Sequence, residues 1–291
     1  MKMILNLANK FLKYFCLALV LLVNHSAHAE DYAIQLLEQM RQKANEVKTL
    51  RYDAVMNERI KGKMVEKVSS FKINTSPEKI YVAQSFIGIK LDALYCQGWN
   101  NNQLRVATVG FPWLELNLDP LGSMVRNNHH HTIFEAGFTY FVNIIGQIVD
   151  DPNRQLTITY MGNVKRNGIS CQRINICNKK YAIIKYQIKA GENLTTIAKR
   201  LNINDYKILE LNPEIDDYTD VKPGQIINIP NTYAKSLDLF IDETIMLPVL
   251  IDIYDENGQY GSYGYKNLVI NKPFAADEFS ITYKDYHFKK K

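Results

Sequence analysis

Apolar residues recur at every second position through much of this 291-residue chain, and that spacing limits its fold more than any other feature. Tyr52, Ala54 and Met56 alternate with polar neighbours. Phe71 with Ile73, Leu156 with Ile158 and Tyr160, the stretch Cys171 to Ile176, and finally Phe279, Ile281 and Tyr283 do the same. Successive side chains of a strand point to opposite faces, so such runs build a sheet with one buried face. Turn signals separate them: Lys61-Gly62-Lys63, Thr75-Ser76-Pro77, Asn100-Asn101-Asn102 and Asp255-Glu256-Asn257-Gly258, where Asn-Gly favours a hairpin. Helical spacing appears twice in this part of the pattern. Ile34, Leu37, Met40, Ala44 and Val47 recur at three and four over Asp31 to Val47, and Phe134, Phe138, Phe141, Ile145 and Ile148 form a stripe over Thr132 to Val149. The expected class is α+β, a curved antiparallel sheet partly covered by helices.

Between Ile184 and Pro230 the rhythm changes to strand, helix, helix, strand. Tyr186 and Ile188 alternate; Leu194, Ile197, Ala198 and Leu201 sit at i, i+3, i+4 and i+7; Asn204 or Asp205 can cap a helix carrying Ile208, Leu209 and Leu211. Pro223-Gly224 turns the chain into Ile227 and Ile229. A compact unit is thus set inside the larger sheet.

These residues resemble a LysM module, through Tyr186-Gln187-Ile188-Lys189-Ala190-Gly191-Glu192-Asn193-Leu194, Ile197-Ala198, Leu209 to Asn212-Pro213, Pro223-Gly224-Gln225 and Ile227-Asn228-Ile229-Pro230. The resemblance implies a βααβ fold over 183–231 that binds N-acetylglucosamine-containing glycans such as peptidoglycan. It places the carbohydrate-binding groove between Gly191, Glu192, Asn193 and Leu194 on one side and Asn212, Pro213, Glu214 and Ile215 on the other, with Leu194 and Ile215 covering the sugar methyl. Glu192-Asn193 departs from the commoner aspartate followed by serine or threonine.

The flanking chain, 30–182 and 232–291, looks like the lipoprotein-carrier (LolA/LolB-like) superfamily of the bacterial envelope, and more closely like uncharacterised envelope proteins that interrupt that fold with a LysM module. The residues that carry this likeness are the late hairpin Leu247 to Gly258 and the ending Leu268-Val269-Ile270-Asn271 with Phe274 and Phe279. It implies a half-barrel closed by helices around an apolar cavity for acyl chains, which Phe134, Phe138 and Phe141 could line or, equally, leave as ordinary core.

Residues 1–29 have the parts of a secretory signal: Lys2, Lys10 and Lys13, the apolar run Phe15 to Val23, then Ala27-His28-Ala29, which sets cleavage after Ala29. The exported chain keeps 32 of 35 Lys and Arg and all 30 Asp and Glu, a net of +2. Such a balance argues against nucleic acid, and no later apolar stretch is long enough for an integral membrane protein. Phe288-Lys289-Lys290-Lys291 reads as a solvated tail. Cys96, Cys171 and Cys177 allow three pairings or free thiols; Cys171 and Cys177, six steps apart on an extended run, are too distant for a local bridge. His129-His130-His131 reads as a solvated loop rather than a metal site, since neighbours on a strand face opposite ways. Asp252 and Asp255 read as turn and surface residues. No catalytic constellation and no cofactor motif stands out. The expected function is that of a non-enzymatic, periplasmic or envelope-associated protein that binds peptidoglycan through the module and a lipid, lipoprotein or other apolar ligand in the half-barrel. A scaffold for a protein partner is the competing reading, and a hydrolase using Cys96 and a histidine a third.

Overall fold

The computed structural model describes residues 29–86, 88–150 and 155–289; the expected signal lies outside the described residues except for Ala29. Helix α1 (29–45) leads into a run of antiparallel strands: β1 (Thr49–Ile60), β2 (Lys63–Thr75), β3 (Glu78–Phe86), β4 (Ile89–Cys96), β5 (Leu104–Thr108) and β6 (Glu115–Leu118). A short helix α2 (Ser123–Arg126), a 3-10 turn (Ile133–Glu135) and helix α3 (Thr139–Asp150) precede β7 (Leu156–Arg166) and β8 (Ile169–Asn178). After an inserted unit come β11 (Ser236–Asp242), β12 (Pro248–Asp255) and β13 (Gly258–Ile270). These form one eleven-stranded sheet in the order β6-β5-β4-β3-β2-β1-β13-β12-β11-β8-β7, open at β6 and β7. The expected class is the one observed.

The inner face follows from the alternation. Leu50, Tyr52, Ala54, Met56, Glu58 and Ile60 share one side of β1 at period two. The buried faces of α1 (Ala33, Leu36, Leu37, Met40, Ala44) and α3 (Phe141, Val142, Ile144, Ile145) pack on that side, against Ile174, Leu239 and Ile251. Burying a Leu or Met of this kind stabilises the fold by about 1.5–3 kcal/mol. The helical stretch expected over Thr132 to Val149 is divided, because Gly137 adopts a positive φ of 84° between the 3-10 turn and α3.

Some expectations fail at the end of the chain. Phe279, Ile281 and Tyr283 lie in turns, not a strand, and cross the outer face of the sheet. Phe288 is buried there rather than solvated, and Tyr286 stacks on Tyr81 with ring centroids 3.7 Å apart. A third buried group, Cys171, Phe240 and Val249, lies apart from both. Cys171 and Cys177 share β8, and all three described cysteines are free. Among the described residues no helix is long and apolar enough to cross a membrane.

The inserted unit stands where a hairpin turn would otherwise join β8 to β11, since those strands pair directly, Cys177 opposite Ser236. It consists of β9 (Ile183–Gln187), α4 (Leu194–Leu201), α5 (Asp205–Leu211) and β10 (Ile226–Pro230), with β9 and β10 paired as a two-stranded sheet. Its own core gathers Ile188, Leu194, Ile197, Ile208, Ile215, Tyr218, Ile227 and Ile229.

Candidate functional site

The half of the sheet from β1 to β6 is not filled by helix. Between it and the segment 124–137 lies a cavity of about 360 Å³, within the roughly 300–1,000 Å³ of small-ligand pockets. Its floor is the inward set of alternating strand residues: Tyr52, Ala54 and Met56, then Val82, then Leu91 and Ala93, then Leu104 and Val106, then Leu116 and Leu118. Its roof includes Met124, Val125, Ile133 and Ala136. Of the three phenylalanines expected here, Phe141 lines the space. Phe138 is fully buried against Tyr265, and Phe134 packs edge-on to Tyr95.

One end of the cavity is polar, which the alternation of the strands does not announce. Glu58 is 1% exposed. It accepts hydrogen bonds from Lys67 Nζ at 2.6 Å, the His130 backbone N–H at 3.2 Å and the Tyr263 hydroxyl at 3.0 Å. His131 and His129 stand 3.7 and 3.9 Å from it. Burial opposes its charge, but the groups around it, His131 first, hold its carboxyl well below the usual range. The histidine run is therefore not a solvated loop. His130 is fully buried, with Nε2 on the Arg59 carbonyl at 2.9 Å, and His131 Nε2 meets the Tyr233 hydroxyl at 2.8 Å. Desolvation pushes the His130 imidazole down to about 4, so it is neutral at pH 7.

That shift has a sign for stability. Between about pH 6.5 and 4 the unfolded chain binds a proton at this position and the folded chain does not, so stability present at neutral pH is lost as pH falls. The share of the slope due to this one group approaches about 1.4 kcal/mol per pH unit. Urea denaturation across that window is expected to show this loss. Burial also pushes the His129 imidazole down to about 4, so His130→Gln, which cannot protonate there, is expected to reduce the slope without abolishing it.

The inserted unit carries the second candidate site. Gly191 is exposed with φ 79° and open space where a Cβ would stand, while Pro213 and Glu214 are exposed on the facing loop. Glu192 is engaged by the Tyr186 hydroxyl (2.6 Å), the Lys189 N–H (2.9 Å) and Arg200 (2.7 Å), and Asn193 caps α4 through the Thr196 N–H at 2.8 Å. Three of the expected glycan contacts are structural instead. Leu194 and Ile215 are core residues and so do not present their side chains to a sugar methyl. Asn212 is fully buried, donating to the Ile208 and Asn228 carbonyls and accepting from the Asn228 N–H. A bond from the Leu194 N–H to the Tyr218 carbonyl, 2.9 Å, ties the two sides together. The open surface is thus backbone around Gly191 with Pro213 and Glu214 opposite.

The two sites share a wall. Along 124–132, Met124, Val125, Asn127, His129, His131 and Thr132 line the cavity, whereas Arg126 and His130 enter the inserted unit. Arg126 pairs with Asp205 at 2.6 Å, donates to the Thr195 hydroxyl at 3.0 Å and lies 3.3 Å over the Tyr218 ring. His130 stacks between Tyr206 and Tyr260, its carbonyl accepting from Asn204 Nδ2 at 2.9 Å. Lys207 is buried and meets Asp255 (2.8 Å), Glu256 (2.9 Å) and Glu210 (3.2 Å), and Arg59 also pairs with Asp255. Asp255 is therefore a buried ion-pair partner rather than a surface residue. Asn204 through Lys207, the start of α5, all bond to the surrounding sheet domain, so the unit is docked through that helix.

No described histidine serves Cys96. Its sulfur bonds the Phe279 carbonyl at 3.6 Å, burial pushes its thiol up, and His287 is held by Asp92 at 2.9 Å.

Comparison with known proteins decides what the inserted unit is. Residues 186–230 match the LysM domain family. The LysM domain here is accordingly a βααβ unit built into a sheet protein. Residues 48–188 match a second family, described as a protein of unknown function (DUF1571). A curated relative, an endolysin of Bacillus phage PZA, is 42% identical over 52 residues, which is 18% of this chain and 20% of that protein. The chain therefore spans about a fifth of that relative. Solved structures with a similar course include lipoprotein LppX of Mycobacterium tuberculosis, at 12% identity and TM-score 0.40, covering 85% of this chain and 100% of that one. LprF of Mycobacterium bovis gives 10% identity and TM-score 0.42, with 84% and 98% covered. An outer membrane lipoprotein-sorting protein domain of Vibrio parahaemolyticus gives 8% and 0.30, with 85% and 97% covered.

Proposed function

We propose that this is a non-enzymatic protein of the bacterial envelope, exported by residues 1–29, whose LysM domain (183–231) binds a glycan containing N-acetylglucosamine, peptidoglycan first, while the sheet domain (30–182 and 232–291) holds a lipid, a lipoprotein acyl group or another apolar ligand. The observation that carries the second half is the cavity itself, floored by the inward faces of β1 to β6 and apolar except at one end. Each methylene buried there contributes about 0.8 kcal/mol, so a chain of moderate length is held without charged contacts. The exposed Gly191, Pro213 and Glu214, beside the half-buried Glu192 and Asn193, support the first half: acetamido groups need backbone donors and acceptors, and a glycine lets them approach. The LysM domain then localises the molecule, and the cavity carries its cargo there.

The experiment is solvent extraction of the purified mature protein followed by mass spectrometry. An acyl-containing species near one per chain is the expected result. A clean, lipid-free extract from protein produced in an envelope-bearing host would contradict the cavity reading.

A further inference from the structure

If the cavity is a ligand site, as proposed above, its polar end determines which head group that ligand carries. Two carboxylates, Glu58 and Glu135, line the space, and among the described lining residues there is no lysine or arginine. Lys67 is the nearby cation, but its ammonium is consumed: it bonds Glu58, the Asn128 carbonyl and His129 Nδ1, the last at 3.3 Å, and its side chain is 2% exposed. An ammonium has three N–H donors, so none is left for a ligand. An anionic head group entering here would meet carboxylates with no free cation to offset its desolvation.

The same bonds set what the end does offer. Lys67 donates to Nδ1 of His129, so that ring carries its proton on Nε2. Nε2 lies 3.4 Å from the Gln84 side-chain nitrogen. Two donors cannot bond, and the two ends of an amide are interchangeable in shape, so we assign the flipped amide, with its oxygen toward that proton. The Gln84 NH₂ is then the group left over, at a residue that lines the cavity. We infer that the site selects aliphatic amphiphiles with an uncharged, hydrogen-bond-accepting head, an ester, amide or hydroxyl, seated against Gln84 and His129, and discriminates against the corresponding fatty acid anion.

Isothermal titration of the delipidated full mature chain at pH 7.5 tests this with three probes of equal chain length: 1-monolauroylglycerol, laurate and dodecylamine. Monolauroylglycerol is expected to bind about ten-fold more tightly than laurate, the scale of one satisfied hydrogen bond set against an unpaired charge. Gln84→Leu is expected to erase most of that margin by weakening monolauroylglycerol while leaving laurate unchanged. Ser85→Leu, at the exposed next position, is expected to change neither. Equal affinity for laurate and monolauroylglycerol, or tightest binding by dodecylamine, overturns the head-group assignment while leaving the cavity reading intact. Binding of none of the three overturns both.

Discussion

Lys207→Met is expected to lower stability by about 3 kcal/mol, the lower part of the range for breaking a buried ion pair. The lysine is 3% exposed and faces three carboxylates, Asp255, Glu256 and Glu210. Methionine fills similar volume but leaves those carboxylates to Arg59, which pairs with Asp255 and stands 3.7 Å from Glu210, and to Tyr181, whose hydroxyl donates to Glu256. That partial compensation is why the upper end of the range is not expected. Lys199→Met on the exposed face of α4 is the control, with a change within about 0.5 kcal/mol. Chemical denaturation measures both. Hydrogen exchange should also locate the loss: amides of α5 lose protection first, because the lysine joins that helix to the β12–β13 hairpin. Equal effects of the two substitutions would mean that the LysM domain is not docked as described.

The second large effect concerns the polar end of the cavity. Lys67→Met leaves the Glu58 carboxylate buried without a full positive charge and is expected to cost about 3–5 kcal/mol, and Glu58→Gln leaves the ammonium in the same position. The double variant removes both charges at once. It is therefore expected to cost less than the sum of the single changes, with a coupling of about 2–3 kcal/mol. Urea midpoints at constant slope give this cycle directly. Strict additivity would show that the two residues do not act on each other, and the charge balance described for the cavity would fail with it.

The sheet was legible because alternation survives wherever one face is buried. Even Glu58 was marked in principle: on β1 it continues the inward series Tyr52, Ala54, Met56, and a charge on an inward position asks for a partner. The partner was not legible, because Lys67 sits on the next strand and the histidines come from a loop more than sixty residues away. His129 to His131 read as solvent-facing for the same reason, since nothing in Asn127-Asn128-His129 signals that a second domain covers it. Asp255 does close the β12–β13 turn, but it was misread as a surface residue because its partners, Arg59 and Lys207, are distant from it in sequence. Within the LysM domain the opposite happened. The motif positions Leu194, Asn212 and Ile215 were found by resemblance, yet the spacing that marks them reflects the needs of a small core as much as those of a glycan. The last run, Phe279 to Tyr283, alternates because it lies across an apolar surface, and period two does not distinguish that from a strand.

Co-sedimentation with purified peptidoglycan tests the central claim most directly, because it asks the whole mature chain to use its LysM domain as docked. Deleting the domain is a poor control, since it would leave Arg126 without Asp205 and Asp255 without Lys207; a soluble N-acetylglucosamine oligomer is the better competitor. The protein is expected to pellet with peptidoglycan and to return to the supernatant as the oligomer is added. Protein that stays in the supernatant, or that pellets regardless of the oligomer, would contradict a working glycan site on the LysM domain.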